Sequence, residues 1–284
     1  MMDKICIIGV GLIGGSFAKG LKEANQVKTI VGFGRNEENL IKAQALNVID
    51  EYSLDIATAL KDAQMVLIAT PVDSFEFILK SIKPYVNDSV IISDVGSTKG
   101  SVANIARLVF DKVPARFIPA HPIAGKEKSG VGASDGSLFN HRRVILTPED
   151  NADTDAIEQV TKLWQTLGAQ VETMTHQKHD DLLAMTSHLP HMLAFGLMDY
   201  LISNDPDAGH YAAGGFKDFS RIASSDAVMW RDICLNNPDQ IVKHIKGYQQ
   251  VLDKLSGLIE NNESDALENL FSEAKSARDE WIKD

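Results

Sequence analysis

The six residues Gly9-Val10-Gly11-Leu12-Ile13-Gly14 restrict the fold of this chain more than any other segment. They follow the unbroken apolar run Ile5-Cys6-Ile7-Ile8 and open a helical pattern at Leu12. In a strand–turn–helix of this spacing the first glycine permits the tight turn and the second lets a pyrophosphate approach the backbone. The third allows close packing of helix on strand. Unpaired N–H groups at the helix start, reinforced by the helix dipole, then hold the phosphate. The N-terminal part is therefore expected to bind a dinucleotide through Gly9, Gly11, Leu12, Ile13 and Gly14.

Short apolar runs alternate with amphipathic stretches over the first 175 residues, as a parallel α/β sheet requires. Strands are predicted at 4–8, 29–33, 64–69, 89–94, 116–119, 143–147 and 170–174. Helical patterns start near Leu12, Glu37, Asp55, Ser74, Lys99 and Asp153. The strand runs are apolar throughout, which suits a sheet covered on both faces. Near residue 175 the period changes and helical spacing takes over. Residues 180–203 read as a buried apolar helix that Pro190 kinks or re-bonds. Residues 208–237 read as short helices around a loop, and 239–261 and 264–283 as two amphipathic helices. The expected architecture is a Rossmann-type domain, 1–175, followed by an all-helical domain for substrate binding and dimerisation, 176–284.

Composition removes several classes. A net charge of −11 argues against nucleic-acid binding, which needs a basic face. Two cysteines in unrelated contexts provide neither a disulfide framework nor a cysteine-rich metal site, and fit a reducing compartment. The N-terminus enters a strand pattern with no cleavable leader. No apolar run approaches the ~18 residues of a membrane span. A soluble cytoplasmic protein is expected.

Cofactor selectivity should lie at the end of the second strand, where an acid would bind a ribose 2′-hydroxyl and an arginine would accommodate a 2′-phosphate. This chain has Gly34-Arg35-Asn36 there and no carboxylate ~20 residues beyond the fingerprint. Arg35 leans the choice between NAD and NADP toward tolerance of NADP, unless its guanidinium only stacks on adenine. Thr70 and Pro71 end the third strand and Asp94-Val95-Gly96-Ser97 the fourth, both on the rim where such sheets bind ligands. His121, in the proline-stiffened run Ile118-Pro119-Ala120-His121-Pro122, is expected in a loop on the same rim. A neutral imidazole there can accept a hydroxyl proton while hydride leaves the same carbon, and Ser97 can orient that hydroxyl. His188 and His191 share a helix face. No carboxylate or third histidine stands at ligand spacing beside them, so no metal is expected.

Five segments occur in order: Gly9–Ser16, Asp94-Val95-Gly96-Ser97-Thr98-Lys99, His121-Pro122-Ile123-Ala124-Gly125, Ser187-His188-Leu189-Pro190-His191, and 214–223 with Arg221. The series resembles the prephenate/arogenate (cyclohexadienyl) dehydrogenase family of tyrosine biosynthesis over nearly the whole chain. The resemblance implies hydride transfer from C4 of a cyclohexadienol to NAD or NADP, with loss of the ring carboxylate as CO2 and aromatisation. It implies His121 as the base, Ser97 as its partner on the same oxygen, and Arg221 as the ring-carboxylate ligand. Glu127 would be a gating acid, and His188 and His191 would face the substrate's other end, with Trp230 supporting the pocket by packing against the Arg221 segment. The family commonly has arginine where Lys217 stands and threonine where Ser220 stands. Neither a chorismate mutase segment nor a regulatory domain fits the remaining length, so any feedback by tyrosine would act at the active site of what is expected to be a homodimer.

Two other readings compete. A β-hydroxyacid-type dehydrogenase would carry a catalytic lysine on the first long helix of the second domain, where this chain has Ser187-His188-Leu189-Pro190-His191. A non-catalytic NAD(P)-sensing protein would need none of His121, Ser97 and Arg221.

Overall fold

The computed structural model describes residues 1–126 and 128–282. The chain opens on β1 (Met2–Ile8) and turns at the glycines into α1 (Leu12–Glu23). It then alternates through β2 (Val27–Phe33), α2 (Glu37–Ala45), β3 (Glu51–Ser53), α3 (Ile56–Leu60), β4 (Met65–Ile68), α4 (Phe75–Ile82), β5 (Ile91–Asp94), α5 (Gly100–Phe110) and β6 (Phe117–Ile118). These strands pair in parallel in the order β3-β2-β1-β4-β5-β6. The chain leaves β1 toward one edge and returns through β4 toward the other, which opens a crevice at the carboxyl ends of β1 and β4.

Alternation along the strands divides the core in two. Ile5, Ile7, Ile30, Met65 and Leu67 bury on one face with Phe17, Leu21, Leu40 and Trp164. Cys6, Ile8, Val31, Val66 and Ile68 bury on the other with Leu60, Phe75, Leu79, Val102 and Ala106. Helix starts are set by local chemistry. Asn36 caps α2 by accepting from the Asn39 N–H at 3.0 Å, and Asp55 caps α3 by accepting from the Thr58 N–H at 2.9 Å.

A second sheet follows, built from β7 (Ala120–Pro122), β8 (Arg143–Leu146) and, after α6 (Thr154–Thr166), β9 (Gln170–Thr173). Here two expectations change. The strands at 143 and 170 do not extend the first sheet, and His121 lies on a strand rather than in a loop, paired antiparallel with β8 opposite Ile145. Three residues ending in proline carry no strand pattern of their own. The pairing comes from distant β8, and Pro122 is tolerated because β7 is an edge strand. β3 was likewise hidden, being a short edge strand of polar sequence.

Beyond β9, α7 (His176–Leu183) runs through a π-helical turn, Ala184–His188, into α8 (Leu189–Asn204). Pro190 lies in the first turn of α8. Lacking an N–H, it cannot bond four residues back, and the wider π turn before it absorbs the mismatch. Then come α9 (Gly214–Ser220), a 3-10 turn Arg221–Ser224 and α10 (Ala227–Asn236). By compactness Met1–Pro238 forms one unit and Asp239–Asp284 a second. The second carries all of α11 (Pro238–Glu260) beyond its first residue and all of α12 (Ser264–Trp281), on which Ile259, Phe271 and Trp281 are exposed. Among the described residues no helix is long and apolar enough to cross a membrane.

Candidate active site

One cleft of about 1500 Å³ in the first unit gathers the carboxyl ends of β1, β4 and β5, strand β7, and the helices after residue 183. That exceeds the roughly 300–1,000 Å³ of a pocket for a single small ligand, and it suits a dinucleotide beside a second small reactant. Gly11, Leu12, Ile13, Thr70, Pro71, Ser97, His121, His188, His191 and Arg221 all line it. Arg35 is exposed just past β2 and is not among the lining residues. Glu127 lies outside the described residues.

The glycine turn fits a pyrophosphate on its own geometry. Gly9 has φ +93°, and a Cβ there would stand 2.6 Å from the Ala69 carbonyl oxygen. A Cβ on Gly14 would collide with the Gly9 carbonyl oxygen and meet the Ala69 Cβ at 2.9 Å. A Cβ on Gly11 would meet nothing within 4 Å, and no side chain caps α1. The first-turn N–H groups therefore face the cleft beside an open backbone, as an anion site requires. Substituting Gly11→Ala should leave the thermal midpoint within about 2 °C, since a Cβ there meets no atom within 4 Å. It should weaken dinucleotide binding at least tenfold, about 1.4 kcal/mol, by filling that approach. Thermal scans and a fluorescence titration check both halves, and unchanged binding would remove Gly11 from the phosphate site.

His121 is half-buried and points one ring edge inward: its Nδ1 lies 2.9 Å from His179 Nε2. The Nδ1 of His179 lies 2.8 Å from Asp180 Oδ1. The Asp180 carboxylate also accepts the Lys99 N–H at 2.8 Å and the Gly100 N–H at 2.7 Å, so it sits on the N-terminus of α5. The Asn237 amide donates to the Asp180 backbone carbonyl at 2.9 Å. Beside this chain the Lys99 ammonium donates to Asp94 Oδ2 at 2.5 Å and to the Ala120 carbonyl at 2.7 Å, with both side chains wholly buried. Asp94 in turn accepts the Gly96 N–H at 2.7 Å and the Ala120 N–H at 3.3 Å.

Burial holds the His121 pKa well below that of an ordinary imidazole, and the neighbouring His179, Lys99 and His188 push the same way. Burial lowers His179 too, against the opposing pull of Asp180. Burial raises Asp180, but its bonds from His179 and the two backbone N–H groups outweigh that and lower it. Both imidazoles are thus neutral and the carboxylate charged near pH 7.

His188 is buried, with its pKa lowered to about 4 by desolvation. His191 donates from Nδ1 to the Ser187 carbonyl at 2.9 Å and stacks on Trp230 at 3.7 Å between centroids. Its Nε2 therefore carries the lone pair. Burial lowers the His191 pKa, and nearby Arg221 lowers it further. Trp230 supports the pocket through this stack, together with edge contacts to His188 and Phe195.

Sequence reasoning passed over His179, Asp180, Lys99 and Asp94 as functional positions. A signal was present: His179, Asp180, Leu183 and Ala184 share one buried helix face. Two titratable side chains on such a face need partners of their own.

Two family descriptions match this chain: the nucleotide-binding domain of prephenate dehydrogenase over residues 17–173, and the dimerization domain of prephenate dehydrogenase over residues 175–273. The prephenate dehydrogenase of Bacillus subtilis is 36% identical over 98% of this chain and 76% of its own length. The cyclohexadienyl dehydrogenase of Zymomonas mobilis is 34% identical over 96% of this chain and 94% of its own. Among solved structures, prephenate dehydrogenase from A. aeolicus in complex with hydroxyphenyl propionate and NAD+ superposes with a TM-score of 0.94. It is 38% identical, covering 99% of this chain and 98% of that one. By sequence and by fold alike, the chain belongs to the prephenate dehydrogenase family and is a nicotinamide-dependent oxidoreductase acting on a small molecule.

Proposed function

We propose that this chain oxidises the ring hydroxyl carbon of prephenate or arogenate, with loss of the ring carboxylate as CO2. The observation that carries the reading is the convergence of the glycine turn, Ser97, His121 and Arg221 on one cleft. His121 accepts the hydroxyl proton at the ring nitrogen turned from His179, while Ser97 hydrogen-bonds the same oxygen and fixes its direction. When bound, a nicotinamide would supply the hydride acceptor for the carbon that bears this oxygen. Arg221 holds a substrate carboxylate by charge-assisted hydrogen bonds. His191 offers a lone pair at Nε2 from its stacked seat, which suits the side-chain ammonium of arogenate rather than the donor-free pyruvyl chain of prephenate, and His188 backs the same wall.

Arg35, a cation past β2 with no acid before it, favours tolerance of NADP alongside NAD. Residues 1–175 form the dinucleotide-binding part and 176–284 the substrate-binding and dimerising part, a division supported by the change of matched family description between 173 and 175. Exposed Ile259, Phe271 and Trp281 suit a homodimer contact. Tyrosine, which shares the side chain of arogenate, would inhibit by occupying this cleft.

A spectrophotometric assay of prephenate and arogenate, each with NAD+ and NADP+, tests the reading. At least one pair should turn over with release of CO2; no turnover with all four would end it. In the same assay Arg221→Ala should raise KM about 10- to 100-fold, the ~1.5–3 kcal/mol of a hydrogen bond to a charged group. It should change kcat far less. An unchanged KM would take the carboxylate away from Arg221.

A further inference from the structure

The three-member chain behind His121 fixes more than its position. Asp180 accepts two backbone N–H bonds, and an ionised carboxylate has no proton to give. The 2.8 Å contact to His179 therefore requires the His179 proton on Nδ1, which leaves a lone pair on Nε2. The 2.9 Å contact from His179 Nε2 then requires the His121 proton on Nδ1. What remains on His121 is a bare Nε2.

We propose that His179 and Asp180 are positioning residues: they lock His121 in the tautomer whose Nε2 is the base, and they receive its positive charge during the reaction. The proposal rests on the assignment of His121 as base. In the step, the substrate O–H bond breaks and its proton bonds to His121 Nε2. The Nδ1 proton of His121 passes to His179 Nε2, while the C–H electron pair leaves as hydride to the nicotinamide. His121 ends neutral and His179 ends as an imidazolium beside a carboxylate that keeps its charge.

The surroundings favour this placement. The groups acting on His121 are Lys99 from the start of α5, His179 from α7 and His188 from the π turn, none of which stabilises a cation there. Those acting on His179 include Asp180 on its own helix and Asp94 at the end of β5, both favouring the cation, with Lys99 opposing.

The test uses the full-length enzyme with His179→Phe, His179→Gln and Asp180→Asn. The readouts are kcat and KM, the pH profile of kcat/KM, NAD+ affinity, and imidazole 15N shifts in the resting protein. The wild-type spectrum should show His121 protonated at Nδ1 and bare at Nε2. His179→Phe removes the acceptor and should cut kcat at least ~10²-fold, within the range of general base catalysis. Its KM and NAD+ affinity should stay within about threefold, its acid limb should move, and its His121 tautomers should be mixed. His179→Gln can still accept the Nδ1 proton through Oε1 but cannot carry the charge, so it should retain the tautomer and lose only about tenfold.

Asp180→Asn also disturbs the α5 start, so the two His179 variants decide the outcome if that variant unfolds. A wild-type His121 protonated at Nε2 would overturn the proposal, as would a His179→Phe enzyme with kcat and acid limb unchanged. Failure of the base assignment would appear separately, as normal turnover by His121→Asn with the 15N pattern intact.

Discussion

His121→Asn is expected to lower kcat by about 10³-fold while NAD+ binds within about threefold of wild type. The magnitude follows from the ~10²–10⁴ that a positioned base contributes. An amide can keep a hydrogen bond to His179, yet it cannot take a proton at any accessible pH. Cofactor affinity is expected to rest elsewhere, on the uncapped start of α1 and the open face of Gly11. The wild-type pH profile gives the complementary sign. As a base His121 would work only when neutral, and burial, with His179, Lys99 and His188 nearby, depresses its pKa well below 6.5. Activity should therefore hold as pH falls through 6.5 and decline only at lower values. A limb at or above 6.5 in the free enzyme, or a variant with near-normal kcat, would remove His121 from its role.

The legible and hidden parts of this site divide along a physical line. The glycine turn was readable because each glycine answers a local demand: the positive φ of Gly9, the open approach at Gly11, the collision awaiting a Cβ on Gly14. The α/β alternation was readable because strands buried on both faces must be apolar throughout, and the helix starts at Asn36, Asp55 and Asp153 carry their own caps. β7 and its sheet were not, because Ala120-His121-Pro122 becomes a strand only by pairing with β8, more than 20 residues on. The chain through His179 and Asp180 was hidden for the same reason. Its first link spans 58 positions in sequence, and its anchor on Lys99 and Gly100 spans 81 and 80. Capping an α5 whose N-terminus lies in another part of the chain leaves no periodic trace. His121, Ser97 and Arg221 could be named from ordered motifs, but what holds His121 in place required coordinates.

Lys99→Met should destabilise the protein by about 3–5 kcal/mol at pH 7, the cost of leaving one member of a buried ion pair without the other. Both side chains are wholly buried, and Lys99 bridges Asp94 on β5 to the Ala120 carbonyl on β7. Burial pushes the Asp94 carboxyl up even with the ammonium in contact, and pushes the Lys99 ammonium down. Without Lys99 the carboxyl pKa rises further above its unfolded value. A group raised in this way gives its full stabilisation below the unfolded pKa and loses it as pH climbs through the folded one. The gap to wild type should therefore be smallest near pH 4 and widen toward pH 7, in denaturant titrations across that range. Adding Asp94→Asn removes the stranded charge while an amide oxygen can still accept the Gly96 N–H, so the double variant should recover most of the loss. Because replacing both members of a buried pair is often close to neutral, stability gives little reason for this pair to be ionic. Its position gives one: the ammonium fixes the carbonyl of Ala120, adjacent to His121, and opposes protonation of His121. The double variant should accordingly be nearly as stable as wild type, yet slower, with its acid limb moved to higher pH. A double variant with wild-type kcat and limb would reduce the pair to a packing element, and a single variant costing under ~1 kcal/mol at pH 7 would deny it even that.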